Sequence, residues 1–305
     1  MGDPIRATRD LPRWELTEDA QAFLDDVGDV LAADPVRATS VANTARRLAA
    51  HATVGRPRPD HPCWFAVARD ADGRVEGVAM RTAPAPPHQA HVLIADRLLA
   101  EDLAVVLVDR GEVVTATNGA EGPALAFLDR VAERTGGSVA VARPTRLFEL
   151  GVLIPPAPPE GAPRAVRRDE VGLAHRWFAD FVADAARQAG RAGPPEIPPP
   201  PQDVLKRRIG AGKLWWWVVD GAPVSLVGHV GPALDVARLG PVFTPAEHRG
   251  RGYAGALVAH VSATLREAGY RVCLFTDLEN PVSNALYERL GYETVVDMAE
   301  LRINP

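Results

Sequence analysis

The chain has 305 residues, 47% hydrophobic and 24% charged, a composition that suits a globular protein with room for two cores. Its formal net charge of −5 and pI near 5.9 exclude a general nucleic-acid binder and a polybasic membrane binder. Two cysteines, Cys63 and Cys273, build neither a disulfide framework nor a metal set; with no apolar run of membrane-spanning length, a cytoplasmic protein without a membrane partner is expected.

Helical spacing predicts helices over Trp14–Val30 and Val36–His51, separated at Asp34-Pro35. Cys63–Ala68 and Val75–Arg81 read as a strand pair around the turn Asp70-Ala71-Asp72-Gly73. After the Pro-rich Ala83–His88 come a strand at His91–Ile94, a short helix near Asp96–Ala104, and strands at Ala104–Val108 and Val113–Thr117. A helix at Pro123–Thr135 and strands at Ser138–Ala142 and Arg146–Leu150 complete an α/β alternation with its own core. The run Ile154 to Pro163 is too rich in proline for helix or central strand and reads as a stiff, extended connection. The expected division is a first domain over 1–154, a linker over 155–163 and a second domain over 164–305.

The second domain is predicted to begin with a helix over Arg168–Gln188, then a Pro/Gly tract over Gly190–Pro201, read as a surface loop, and a short helix over Gln202–Ile209. Lys213–Val219 and Val224–Val230 form a hairpin around Asp220-Gly221-Ala222-Pro223, and a third strand follows over Asp235–Phe243. The helix Tyr253–Ala268 carries Ala254, Leu257, Val258, Val261 and Leu265 on one face, and Gly269 caps it. The strand Arg271–Thr276 is almost continuously apolar, as a buried strand with a parallel neighbour would be. Helix Pro281–Leu290 and strand Glu293–Leu301 end the domain.

Between the third strand and its helix lies Arg249-Gly250-Arg251-Gly252-Tyr253-Ala254. Two glycines let the backbone curl with its N–H groups facing one concavity, and the helix start adds unpaired N–H groups and a positive dipole end. With Arg249 and Arg251 alongside, this describes an anion site suited to a phosphate or pyrophosphate. No Lys-Ser/Thr pair follows the glycines, so the segment is not a P-loop. A second segment, Asn280-Pro281-Val282-Ser283-Asn284-Ala285-Leu286-Tyr287, begins a helix with Asn280 as N-cap and Pro281 at its first position. Asn284 and Tyr287 are three apart and share a face.

Arg249-x-x-Gly252-x-Ala254, followed by Asn284-x-x-Tyr287 and Gly291-Tyr292, resembles the GNAT superfamily of acyl-coenzyme A-dependent N-acetyltransferases. The resemblance covers about Pro163 to Ile303 and implies a mixed α/β fold, a mostly antiparallel twisted sheet with flanking helices and a splay between its fourth and fifth strands. It implies acetyl-CoA as cosubstrate, no metal, and an amine acceptor of unknown identity attacking the thioester directly in a ternary complex. Nucleic acid is not expected as a partner, and the chain would act as a monomer or homodimer. Cofactor contacts are implied for Val242, Phe243, Thr244, His248, Arg249, Gly250, Arg251, Gly252, Tyr253, Ala254, Asn280 and Asn284, with Tyr287 as the acid that protonates the leaving thiolate. The backbone N–H of Val242 is the candidate for polarising the acyl oxygen, where Pro241 marks the parting of the strands.

Three features stay open. Taken alone, Tyr287 and Trp216 read as core aromatics, and His229, the best-placed candidate base, reads as a structural histidine, with Asp235, Glu247 and His248 weaker still. The element order of the first half echoes that of the second, which suggests a tandem protein whose first copy has lost its cofactor site. There the turn corresponding to the Arg/Gly segment is expected at Thr117–Pro123, where Glu121 would repel a pyrophosphate. An acyl-CoA-binding sensor without catalysis, or a nucleotide-binding enzyme using the Arg/Gly turn, are the competing readings.

Overall fold

The computed structural model describes residues 12–55, 57, 60–188 and 199–305; the chain start and most of the Gly190–Pro201 tract lie outside the described residues. Two units emerge, one of residues up to Thr145 together with Asp297–Pro305, the other of Arg146–Val296. The first half runs β1 (Arg13–Thr17), α1 (Ala20–Ala33), α2 (Thr39–Thr53), β2 (Trp64–Arg69), β3 (Val75–Arg81), β4 (Ala90–Ile94), α3 (Arg97–Asp109), β5 (Ala116–Ala120), α4 (Glu121–Thr135) and β6 (Ser138–Leu150). The second half repeats that succession: β7 (Ala162–Ala165), α5 (Val171–Gln188), α6 (Gln202–Gly210), β8 (Leu214–Val219), β9 (Ala222–Ala233), β10 (Val236–Phe243), α7 (Tyr253–Glu267), β11 (Arg271–Asp277), α8 (Pro281–Arg289) and β12 (Tyr292–Asn304). Among the described residues no helix is long and apolar enough to cross a membrane.

In the first unit the strand order is β1-β2-β3-β4-β5-β12-β6. β1–β2, β2–β3 and β3–β4 pair antiparallel, β4–β5 in parallel, and the end of β12 pairs antiparallel with β5, Met298 opposite Ala120 and Arg302 opposite Ala116. Its core gathers Leu99, Leu103, Phe127, Leu128 and, from the far end of the chain, Ala299 and Leu301. In the second unit the neighbours of β11 are β10 on one side and the end of β6 on the other. Phe148 and Leu150 of β6 are buried there with Leu239, Leu257, Leu274 and Tyr287. Each unit thus takes a strand end from the other half of the sequence.

The division at 145/146 differs from the linker at 155–163 for that reason. The Pro-rich run belongs to the second unit, where the N–H of Ile154 donates to Leu290 O at 3.0 Å and Trp217 Nε1 donates to Glu160 O at 2.8 Å. The Arg143-Pro144 interruption that split two predicted strands falls inside the continuous β6, next to the point where it changes unit.

Three other elements differ from their sequence reading. Trp14–Thr17 is strand, because Arg13-Trp14-Glu15-Leu16-Thr17 pairs antiparallel with β2, and the helix begins only after Asp19 caps it by accepting from Gln21 N and Ala22 N. The β-branched run Ala104–Val108 is the end of α3, whose Leu99, Leu103 and Leu107 are buried at helical spacing. The short β7, within the expected linker and the residues just after it, pairs with β8.

Candidate functional site

Residues Val236 to Leu239 of β10 pair in parallel with Arg271 to Leu274 of β11, and the ladder stops there. On the other side of β10, the register with β9 shifts between Leu239 and Val242, a bulge centred on Gly240-Pro241. Beyond the bulge β10 holds to β9 and parts from β11. The Phe243 carbonyl accepts from Ser225 Oγ of β9 at 3.2 Å. Strand alternation then turns the peptide groups of Phe243 toward β9 and those of Val242 toward the opening. The phenyl ring of Phe243 faces the α5 side, 5.7 Å from Trp177, in the same core as the fully buried Trp216.

A loop from Thr244 to Gly252 leads into α7. Gly250 and Gly252 have φ of 75° and 81°, left-handed conformations in which an L side chain is strained. Among the described residues, the N–H groups of residues 250–255 meet no protein acceptor, whereas the N–H of Ala256 already bonds Gly252 O at 3.0 Å. Arg251, Gly250 and Gly252 are exposed, so this nest of donors opens outward at the positive end of α7. The Tyr253 ring is buried in the core, leaving only its N–H for the nest. The glycines at 250, 252 and 255 also have the spacing of a dinucleotide-binding turn. The sheet separates the two cases: β10 has one parallel neighbour and one antiparallel one, and a bulge where a dinucleotide fold would continue its ladder.

The two arginines do different things. Arg251 is exposed beside the nest and has no partner among the described residues. Arg249 is bound to the protein, its Nε donating to Thr244 O at 2.9 Å and its Nη2 paired with the buried Asp184 of α5 at 2.5 Å. The Arg249 charge is therefore largely balanced, and its effect is to close the loop on itself and fasten it to α5. Thr244 has its hydroxyl 2.9 Å from Ser225 Oγ. His248 ends a 3₁₀ turn, Ala246–His248, with Nδ1 buried and unpartnered. Nothing in the sequence near Asp184 announces its role, since the pair joins positions 65 apart.

Helix α8 forms the other wall. Asn280 caps it, Oδ1 accepting from Ser283 N at 3.0 Å. Asn284 Nδ2 donates to the carbonyls of Asp277 and Leu278, both at 3.2 Å, while its Oδ1 is buried without a donor. Gly291 at its end has φ of 89°, and a Cβ there would meet Val152 O at 1.8 Å, so only glycine lets residues 151–154 pack on the helix end. Tyr287 projects into the second core, 6.2 Å from Phe148 and 5.8 Å from Tyr292 between ring centroids. Its hydroxyl makes no hydrogen bond among the described residues, and burial holds the phenol well above its usual pKa.

His229 of β9 lies opposite Leu239, beside the bulge. It is 8% exposed, its Nδ1 is buried and unpartnered, and its pKa is lowered to about 4 by burial first and then by the charges of Lys213 and Arg208. Asp235 and Glu247 are exposed.

In the first unit the turn that corresponds to Thr244–Gly252, by element order, joins β4 to α3. It is not Thr117–Pro123, which joins β5 to α4 and corresponds to the start of α8. Only Ala95 and Asp96 form it, and Asp96 Oδ1 accepts from Leu98 N at 2.7 Å and Leu99 N at 3.2 Å. A carboxylate of the protein thus fills the place where an anion would bind. The helix after β5 carries no tyrosine.

The FR47-like protein family matches residues 219–303. No curated protein matches the sequence. Among solved structures, a GNAT-family acetyltransferase from Colwellia psychrerythraea is 11% identical with a TM-score of 0.55, over 96% of this chain and 100% of that one. A GCN5-related N-acetyltransferase from Sphaerobacter thermophilus is 16% identical with a TM-score of 0.56, over 95% of each chain. A tandem GNAT protein from the clavulanic acid biosynthesis pathway is 17% identical with a TM-score of 0.50, over 96% of this chain and 99% of that one. At such identities the likeness is one of fold, and it extends over both halves. The chain therefore has the fold of the GNAT acetyltransferases, and the residues of the candidate site fall within the segment that matches the FR47-like family.

Proposed function

We propose that the protein is an acyl-CoA-dependent N-acyltransferase, transferring acetyl to an amine, with one active site in the second unit. The observation that carries this is the set of unpaired N–H groups at residues 250–255, at the mouth of the opening between β10 and β11. These donors suit a diphosphate, with Arg251 as the adjacent free charge. The Val242 N–H and the Asn284 Oδ1 offer a donor and an acceptor to the amide-bearing arm of coenzyme A laid along the opening. The thioester supplies the activated acyl group. Tyr287 would then donate its proton to the departing sulfur, and the Val242 N–H would face the acyl oxygen. Most of the acceleration would come from holding amine and thioester together. The first unit, its corresponding turn filled by Asp96, would bind no cofactor.

The sensor reading draws support from one observation, the raised pKa of Tyr287, because a weaker acid protonates a thiolate less readily. Calorimetric titration with coenzyme A, followed by free-thiol release from acetyl-CoA across an amine library, separates the two. Thiol release that falls in Tyr287→Phe supports the enzyme; tight binding with no release for any amine supports the sensor. No affinity for coenzyme A defeats both.

A further inference from the structure

Four basic side chains gather next to the bulge of β10. Arg208 of α6 donates through Nη2 to His229 O at 3.1 Å and to Gly240 O at 3.0 Å, and its carbon stands 5.2 Å from the Phe178 ring centroid. Its Nε is buried without a partner. Lys213 Nζ donates to Gly231 O at 2.5 Å. His229 is more than nine-tenths buried with Nδ1 unpartnered, and Arg238 of β10 lies over the Phe275 ring. Arg208 and Lys213 bond only carbonyl oxygens, and among the described residues neither forms an ion pair with a carboxylate. The charges they feel are each other's and Arg238's: burial and Arg238 bring Arg208 down to about 10, while burial and Arg208 lower Lys213. Holding the Arg208 and Lys213 charges close together with no carboxylate paired to either is unfavourable, and a protein keeps such a pair most readily where an anion completes it. The Gly240 carbonyl that Arg208 holds is the first residue past the end of the β10–β11 ladder, so the cluster borders the inner end of the opening, away from the nest at 250–255.

We propose that the acceptor amine carries a carboxylate, received by Arg208 and Lys213 at the inner end of the opening, with His229 Nδ1 as a further polar contact. This rests on the acyltransferase reading and narrows its substrate to amino acids or other small amino-carboxylates. A planar guanidinium with an unused N–H suits a carboxylate, and a compact ammonium adds charge without a geometric demand.

The test uses the full chain saturated with coenzyme A, titrated calorimetrically with the common amino acids and with the α-carboxamide of each, and the same pairs are assayed for thiol release with acetyl-CoA. At least one acid is expected to bind tenfold or more tightly than its own amide. Lys213→Gln, at a half-exposed position, is expected to remove most of that preference while leaving coenzyme A affinity within about twofold; Arg208→Gln, if it folds, removes the rest. Acids and amides binding alike, no acid binding at all, or a preference that survives Lys213→Gln overturns the proposal. So does a loss of coenzyme A affinity in Lys213→Gln, which would assign the charge to the cofactor. Acid-selective binding without thiol release for any amine would leave the anion site standing and bring down the acyltransferase reading instead.

Discussion

Tyr287 and Tyr292 stand with ring centroids 5.8 Å apart in one core, yet only Tyr292 has its hydroxyl bonded, to Ser262 Oγ at 2.7 Å. Among the described residues the Tyr287 hydroxyl has no protein partner, so it is free to bond a group that the protein does not itself provide. Tyr287→Phe is therefore expected to lower turnover about 10- to 100-fold, at the modest end for a positioned acid, with coenzyme A affinity and melting temperature nearly unchanged. Tyr292→Phe leaves the fully buried Ser262 hydroxyl unsatisfied and should cost about 1–2 kcal/mol of stability, with turnover preserved. Steady-state kinetics beside denaturant unfolding of the two variants checks the contrast; equal kinetic losses would make Tyr287 an ordinary core residue.

Asp96 shows what a carboxylate does at the start of the equivalent helix, where it occupies two N–H groups of α3. Gly252→Asp should reproduce that arrangement at α7. The new side chain would compete for the free N–H groups and repel a diphosphate, while φ of 81° adds strain of about 1–2 kcal/mol. Coenzyme A affinity is expected to fall at least about 100-fold, or about 2.7 kcal/mol, with the fold retained by circular dichroism. Gly252→Ala, which adds the strain without the charge, should lose less.

These motifs were legible because their chemistry is local. Gly250 and Gly252 announce a left-handed turn, Asn280-Pro281 announces a helix start, and both are where they were expected. What joins distant positions was not legible. The Arg249–Asp184 pair, the basic cluster of Arg208, Lys213 and Arg238, and the exchange of β6 and β12 ends depend on which segments meet in space, and no residue type marks them. The misplaced corresponding turn has the same origin. Val105, Val106 and Val108 carry strand propensity, so the sequence reads as helix then strand where the protein has the single helix α3, capped by Asp96, and the expected order shifts by one element.

Arg249 illustrates why a charge in a glycine-rich turn, beside a candidate anion site, can act at one remove. Its guanidinium holds Thr244 O and the buried Asp184, so Asp184→Asn is expected to weaken coenzyme A binding about 3- to 10-fold by loosening the loop. Arg249→Gln should do about the same, and the double variant no more than either alone. A double-mutant cycle by calorimetry reads this directly; fully additive losses would show Arg249 contacting the anion itself.

His229 sets a pH limit on stability. Its folded pKa of about 4 lies below the usual 6.5, so between those values the unfolded chain binds more protons and stability falls as pH falls. The contribution is fully present above about 6.5 and lost progressively toward 4, to the order of 2–3 kcal/mol. His229→Gln should flatten the unfolding free energy in that window relative to the parent, measured by urea titration at pH 7, 5.5 and 4.5. An unchanged slope would mean that the ring is already protonated or reaches water.

The exchange of strand ends predicts where the chain can be divided. A fragment beginning at residue 155, the cut that the proline-rich run invites, lacks residues 146–150 and with them Phe148 and Leu150, both buried beside β11. Losing two large core side chains costs about 3–5 kcal/mol each in a packed site, and the bare edge of β11 would be left open to pairing with other chains. That total is comparable to the whole stability of a domain, so residues 155–305 should be insoluble or molten. A fragment over 146–296 keeps the β6 end against β11 and drops only the end of β12 that pairs with β5 in the other unit. It should be soluble, unfold cooperatively and, because every residue of the candidate site lies within it, bind coenzyme A within a few-fold of the intact chain. Expression, size-exclusion chromatography and calorimetry of the two fragments decide it. A well-folded 155–305 would show that the β6 end is dispensable to the second core.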